Sequence, residues 1–234
     1  MPYYGFGYGF GIDPAYLLLV IASTVLGLAA QGYIDRTYRV WSRVASDGAS
    51  GSDVARRMLD ANGCGQVGIV RVAGRLTDHY DPRDNNLHLS SDNMSGGSVA
   101  SVAVACHEAG HAVQRAQGFA MMRVRAALVP VVNFTQGTWM IVFMLGVFMN
   151  ISGLTTLAIA LFAFSVVFQL VTLPVEIDAS RRAVAYIETS GMSEKQVRGA
   201  RKVLTAAALT YVAAALTSIM QLLYLLSRTN GDER

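Results

Sequence analysis

Apolar residues in this chain gather into four long runs, over residues 14–32, 130–149, 154–173 and 203–226. Each holds roughly the 20 residues that a helix needs to cross a hydrocarbon core of about 30 Å. Four transmembrane helices are therefore predicted. The second run is the most polar at its start, where Asn133, Gln136 and Gly137 suit the interface or the faces of other helices. Asn150-Ile151-Ser152-Gly153 leaves room only for a tight hairpin between the second and third runs.

Between residues 46 and 125 the pattern changes period. Val54, Ala55, Met58 and Leu59 recur at helical spacing and predict a short amphipathic helix over 52–61, stopped by Asn62-Gly63. Residues 67–72 alternate as a strand does, and Leu87-His88-Leu89 reads as a second strand after the turn-rich Asp81-Pro82-Arg83-Asp84-Asn85-Asn86. A longer helix follows over 98–117, with Gly118 to end it. Beyond the third apolar run, Pro174 is expected to open or kink a helix that ends near Thr189 and stops at Gly191. Ser193-Glu194-Lys195-Gln196 matches a capping box. The helix it starts continues into the fourth run and is about 50 Å long at 1.5 Å per residue.

Composition strengthens the membrane reading: 53% of the chain is hydrophobic and 15% charged, where soluble proteins carry about 25% charged residues. The net charge of +3 comes largely from arginines beside the apolar runs, a pattern that reports orientation and gives no reason to expect nucleic acid as a partner. No lysine or arginine precedes the first run, whereas Arg36, Arg39 and Arg43 follow it. The N-terminus is therefore expected outside and residue 35 onward in the cytoplasm. Arg115, Arg123 and Arg125 before the second run agree, as do Arg181, Arg182, Lys195, Arg198, Arg201 and Lys202 after the third. The C-terminus then lies outside as well. Without basic residues or an A-x-A site, the N-terminal segment reads as a retained anchor, and the aromatic and glycine mixture from Tyr3 to Phe10 suits the headgroup level. Charged residues are absent from the four runs, which argues against a transporter or channel.

The chemistry is concentrated in His107-Glu108-Ala109-Gly110-His111, inside the helix predicted over 98–117. Residues four apart share a helix face, so both imidazoles reach one metal ion. Glu108 is then turned toward the open coordination position, where it takes a proton from a bound water. This is the HExxH arrangement of zinc peptidases, and one zinc is expected. A catalytic site needs a third protein ligand. Glu176 is the strongest candidate, because it follows the third run on the same predicted side as the histidines; Asp178 is the runner-up. Glu188 and Glu194 read as solvated surface charges. Cys64 and Cys106 cannot define a disulfide framework, and Cys106 reads as packing beside the motif.

Several runs together resemble one family. They are Val54-Ala55-Arg56-Arg57, the stretch from Leu76 to Arg83, His107 to His111, Ala127 to Phe134, Leu173 to Arg182, and Ala206 to Ala215. The chain resembles, over nearly its whole length, the YugP-like family of bacterial membrane proteins, described as neutral zinc metallopeptidases. More distantly it is similar to membrane gluzincins of the HtpX and prenyl-protein protease type. There a helix carries a glutamate ligand and, four residues later, an aspartate that supports the ligands. This chain keeps the glutamate as Glu176 but has Ser180 at the aspartate position. A hydroxyl can orient a histidine, though it cannot raise its basicity as a carboxylate would, and Asp178 is the alternative support.

The expected fold is mainly α: a polytopic membrane protein with a small α+β zincin-like cytoplasmic domain carrying the HExxH helix. Its segments are 1–34 (tail and first span), 35–127 (zincin-like segment), 128–173 (hairpin of two spans), 174–202 (cytoplasmic helix with the third ligand) and 203–234 (fourth span and tail). The expected activity is that of a zinc-dependent endopeptidase in a bacterial plasma membrane, cutting membrane proteins or extended peptides at the cytoplasmic face. Glu108 acts as general base and passes the proton to the leaving amine. An oxyanion donor is expected from among His79, Tyr80, Arg181, Arg182 and Tyr186, and the sequence does not choose. His79 and His88 read as ordinary hydrogen-bonding residues rather than a second metal site. The strand at residues 87–90 is either an edge that pairs with substrate or the completion of a small sheet. The alternative function is a noncatalytic, zinc-stabilised membrane scaffold, which would need four protein ligands to close its site. Membrane-protein regulators or a homo-oligomer are compatible with this reading, and no residue identifies either.

Overall fold

The computed structural model describes residues 13–46 and 48–229. The aromatic stretch from Tyr3 to Phe10 lies outside them. In chain order the elements are α1 (Pro14–Trp41), α2 (Gly51–Ala61), β1 (Gly68–Val72), β2 (His79–Asp81), β3 (Asn86–Ser90) and α3 (Ser91–Met94). They are followed by α4 (Val99–Ala116), α5 (Ala120–Phe148), α6 (Ser152–Thr189) and α7 (Glu194–Thr229).

Helices α1, α5, α6 and α7 are long and apolar enough to cross a membrane. They pack as a row in which α5 lies on α6, α6 on α7 and α7 on α1. Their outer faces expose large apolar side chains such as Leu18, Leu28, Phe134, Phe148 and Leu223, the surface of a membrane protein. Asn133 and Gln136 are also exposed.

Local rules set most helix ends. Asp13 accepts from the Ala15 N–H ahead of Pro14, Ser50 and Asp53 close a capping box at α2, and Ser193 with Gln196 does the same at α7. Gly118 (φ 66°) and Gly191 (φ 86°) follow the ends of α4 and α6 in the left-handed region that suits glycine. Pro174 does not open a helix. It lies inside α6, where it removes one backbone donor, and the next turns are held by burial of Val175, Glu176, Ala179 and Ala183. The expected segment boundaries at 127/128, 173/174 and 202/203 lie inside α5, α6 and α7, the last as the continuous helix read from the capping box.

The sheet has the order β1-β3-β2, with β1 parallel and β2 antiparallel to β3. The strand at residues 87–90 is therefore central. Both of its edges are paired, so it cannot be the edge that receives a substrate; that expectation is corrected. The strand missed in the sequence, β2, has only three residues, too few for alternation to register.

Helix α4 packs against α2 on one side and against α6 and α7 on the other. Ala103, Ala105, Ala109 and Ala112 are buried along it, beside core residues Met58, Leu59, Leu87, Leu89 and Ile187. At Gly110 a Cβ would stand 2.7 Å from the Ala179 carbonyl oxygen and 3.2 Å from its Cα. Only glycine lets α4 and α6 come this close. Gly110→Ala is expected to cost about 1–3 kcal/mol of stability through overpacking. Gly137→Ala, which meets open space within α5, should be neutral or stabilising. Denaturation of both variants in detergent checks this, and equal stability would remove the steric constraint.

Candidate metal centre

The close approach of α4 and α6 brings three donor atoms together. His107, His111 and Glu176 each offer one ligand atom, and these atoms lie within 4.8 Å of one another. Glu176 Oε2 is 3.2 Å from His107 Nε2 and 3.5 Å from His111 Nε2. Its other oxygen, Oε1, is 3.4 Å from Arg125, which turns Oε2 toward the imidazoles. Tetrahedral ligation with bonds of about 2.0–2.1 Å separates ligand atoms by about 3.3 Å. The donor set and its spacing fit zinc.

Hydrogen bonds behind the imidazoles fix which nitrogen faces inward. Gln114 is fully buried, and its amide nitrogen donates to the Val175 carbonyl at 2.8 Å and to Asp178 Oδ2 at 2.9 Å. Only its Oε1 is left for His111, so His111 Nδ1–H donates to it at 3.0 Å. The Nε2 lone pair of His111 then points at a carboxylate oxygen. Two acceptors cannot face each other in a buried site without a cation between them, either a proton or a metal ion. His107 Nδ1 is 3.1 Å from the Ser180 hydroxyl, so Ser180 occupies the supporting position on that ring. Asp178 stands behind His111, bound to Gln114 and at 2.5 Å to Arg182, rather than among the converging atoms.

Glu108 is 8% exposed, and its Oε2 accepts the Tyr80 N–H at 3.1 Å. The residue opens onto a cleft of about 180 Å³ lined by His107, Tyr211, Asp78, Tyr38 and Leu204 among others. None of the five oxyanion candidates lines this cleft. The Tyr80 hydroxyl donates to Asn85, Arg182 is held by Asp178 and Gln117, Arg181 lines a separate groove between α6 and α7, and Tyr186 packs against the core. His79 stacks on His88 at 4.6 Å, and His88 bonds Asp84 at 2.9 Å. Glu188 and Glu194 pair with Arg201 and Arg198. Cys106 is buried and its thiol is pushed up to about 12, so it stays protonated and offers no thiolate.

Three site residues escaped the sequence reading: Gln114, Arg125 and Tyr211. A signal existed for Gln114, which follows His111 by three residues on one face of α4. In the sequence Arg125 reports only orientation, and Tyr211 sits in an apolar run.

The family model described as "Putative neutral zinc metallopeptidase" matches residues 16–230. The chain belongs to this family. A protein of Bacillus subtilis (strain 168) named "Putative membrane protease YugP" is 42% identical over 210 residues, 89% of this chain and 93% of that relative. No solved structure matches the chain. Membership implies zinc, and the donor set supplied by α4 and α6 suits it.

A pH dependence follows for the metal-free protein. Burial alone would lower the His111 pKa, but the Glu176 carboxylate at Nε2 and the nearby Glu108 charge outweigh it and raise the pKa above 6.5. The folded state then holds this proton more tightly than the unfolded chain does. Its stabilisation is complete below the unfolded value, near pH 6.5, and is lost as pH rises through the raised folded value. The melting temperature of EDTA-treated protein should therefore fall as pH increases from 6 toward 8.5, and Glu176→Gln should flatten that slope. A flat or rising profile in the parent would contradict the proton-sharing arrangement.

Proposed function

We propose that this protein is a membrane-embedded zinc endopeptidase in which His107, His111 and Glu176 hold the metal and Glu108 is the general base. The observation that carries the reading is the convergence of Glu176 Oε2 on both imidazole nitrogens, beside a carboxylate that opens onto a cleft. No fourth ligand joins the cluster among the described residues, whereas the scaffold alternative needs one.

A bound zinc lowers the pKa of its water toward about 7 and polarises the scissile carbonyl. The Tyr80 N–H holds Oε2 of Glu108, and Oε1 has no protein partner among the described residues. Glu108 takes the proton of the attacking water there and returns it to the leaving amine. Tyr211, on the wall of the same cleft, is the hydroxyl we assign to the developing oxyanion. Strand β2, at the sheet edge and in contact with α4, replaces the strand at residues 87–90 as the edge for an extended substrate. On this reading the substrates are membrane proteins or extended peptides, and the arginine pattern supports a site on the cytoplasmic face with both termini outside.

His107→Ala, His111→Ala and Glu176→Ala should each lower bound zinc, measured by metal analysis of the purified protein. Glu108→Gln should keep zinc and lose about a hundredfold or more of its proteolysis, the scale for a positioned general base. Parental turnover in Glu108→Gln would leave the zinc structural. Orientation is tested by cysteine labelling with an impermeant reagent, for which Cys64 and Cys106 give little background because both are buried. Sites placed near Gly9 and Asn230 should label from outside, and sites near Asp92 and Thr189 should not. The reverse pattern would move the site to the outer face.

A further inference from the structure

A second cavity, of about 750 Å³, lies at the foot of α1 beside the start of α4. Arg39, Arg43 and Arg75 line it. None of the three has a carboxylate at ion-pair distance among the described residues, whereas seven other arginines do. Among the described residues, Asp92 is the one acidic residue in the lining, against three arginines. The Ser91 hydroxyl, also in the lining, makes no hydrogen bond within the described residues. Arg75 lies over the Tyr38 ring, 5.5 Å from its centroid, which holds that guanidinium in place while leaving its N–H edge free.

We propose that this cavity binds a phosphate group, supplied by the headgroup of an anionic phospholipid. Guanidinium forks match phosphate oxygens in pairs, and three of them around one concavity are otherwise left to repel one another. Depth points to lipid as the source. The first charged residue after the apolar run of α1 is Asp35, and Arg39 follows one turn later, about 6 Å along the axis. That is about the thickness of one headgroup layer. Tyr38 forms a wall shared with the metal-centre cleft, and its hydroxyl donates to Asn93, which in turn donates to Asp78. The bound headgroup thus abuts the side of the cleft formed by α1. Phosphate binding does not depend on the peptidase reading.

The full-length protein in detergent is exposed to a mixture of phosphatidylglycerol and phosphatidylcholine, and retained lipid is read by native mass spectrometry. Arg39→Gln, Arg43→Gln and Arg75→Gln combined should lower phosphatidylglycerol retention about tenfold or more, since each removes charge-assisted bonds. The pair Arg39→Gln and Arg43→Gln, which leaves the Tyr38 contact intact, should show a smaller loss in the same direction. A charge-matched control with Arg71→Gln, Arg123→Gln and Arg198→Gln should retain lipid like the parent. In a parallel arm, inorganic phosphate alone should not raise the parent's melting temperature. Equal loss in the control, or parental retention in both cavity variants together with no response to inorganic phosphate, overturns the site. Stabilisation by inorganic phosphate in the parent but not the triple variant, with lipid retention unchanged, upholds the phosphate chemistry and overturns the lipid source.

Discussion

The contact between Gly110 of α4 and Ala179 of α6 is the constraint on which the candidate site rests. Positions 107, 110, 111 and 114 form one stripe of α4 at i, i+3, i+4 and i+7, and all four meet the stretch of α6 from Val175 to Ser180. His107 meets Ser180 and Glu176, Gly110 meets Ala179, His111 meets Glu176, and Gln114 meets Val175 and Asp178. A side chain at 110 would push the helices apart and pull each of these polar contacts with them. Packing therefore sets the electrostatics here. A carboxylate as buried as Glu176 is costly unless cations surround it; the two histidines are within reach only because the α4 and α6 backbones touch, and Arg125 is added from α5.

The two imidazoles are supported unequally. His107 has a hydroxyl, Ser180, while His111 has Gln114, itself tied to Asp178 and through it to Arg182. Negative charge thus reaches the His111 ring through an amide, one residue removed from direct contact. Such a relay orients the ring and fixes its tautomer, yet transmits less basicity than a carboxylate on the ring nitrogen would. Much of the negative charge at the candidate metal centre is then carried by Glu176, whose carboxylate is buried and doubly faced by nitrogen.

Legibility in the sequence followed the range of each interaction. The HExxH turn, the caps at Ser193 and Gln196, the glycine stops at 118 and 191 and the four apolar runs all act over a few residues, and each was readable. Glu176 was reachable because residue type and predicted membrane side narrowed the choice. Gln114 is legible only as a neighbour of His111 on one face of α4; its bond to Val175, 61 positions away, leaves no local trace. Tyr211 was hidden because its helix reads as lipid-facing until α4 is set against it. Pro174 illustrates the opposite case: of opening or kinking a helix, its place inside α6 excludes only the opening, and burial of the following turns holds the helix there. The central place of β3 depends on pairing with both β1 and β2, and periodicity within one strand carries no record of its neighbours.

Unbroken helices join the site to the membrane. Because α6 runs through Pro174 without stopping, Glu176 stands on the same helix as the apolar run before it, and α7 carries Tyr211 in the same way. The cleft wall formed by Ile34, Val203, Leu204 and Ala207 is apolar and comes from α1 and α7, whereas Asp78 and Glu108 stand on the polar side. A peptide under the proposed reading therefore meets an apolar wall continuous with spanning helices on one flank and the general base on the other. A substrate segment that leaves the bilayer satisfies both walls, because its apolar side chains match α1 and α7 while its backbone reaches the side that carries Glu108. A fully soluble, highly charged peptide satisfies only one of them, and on this geometry it is the poorer substrate.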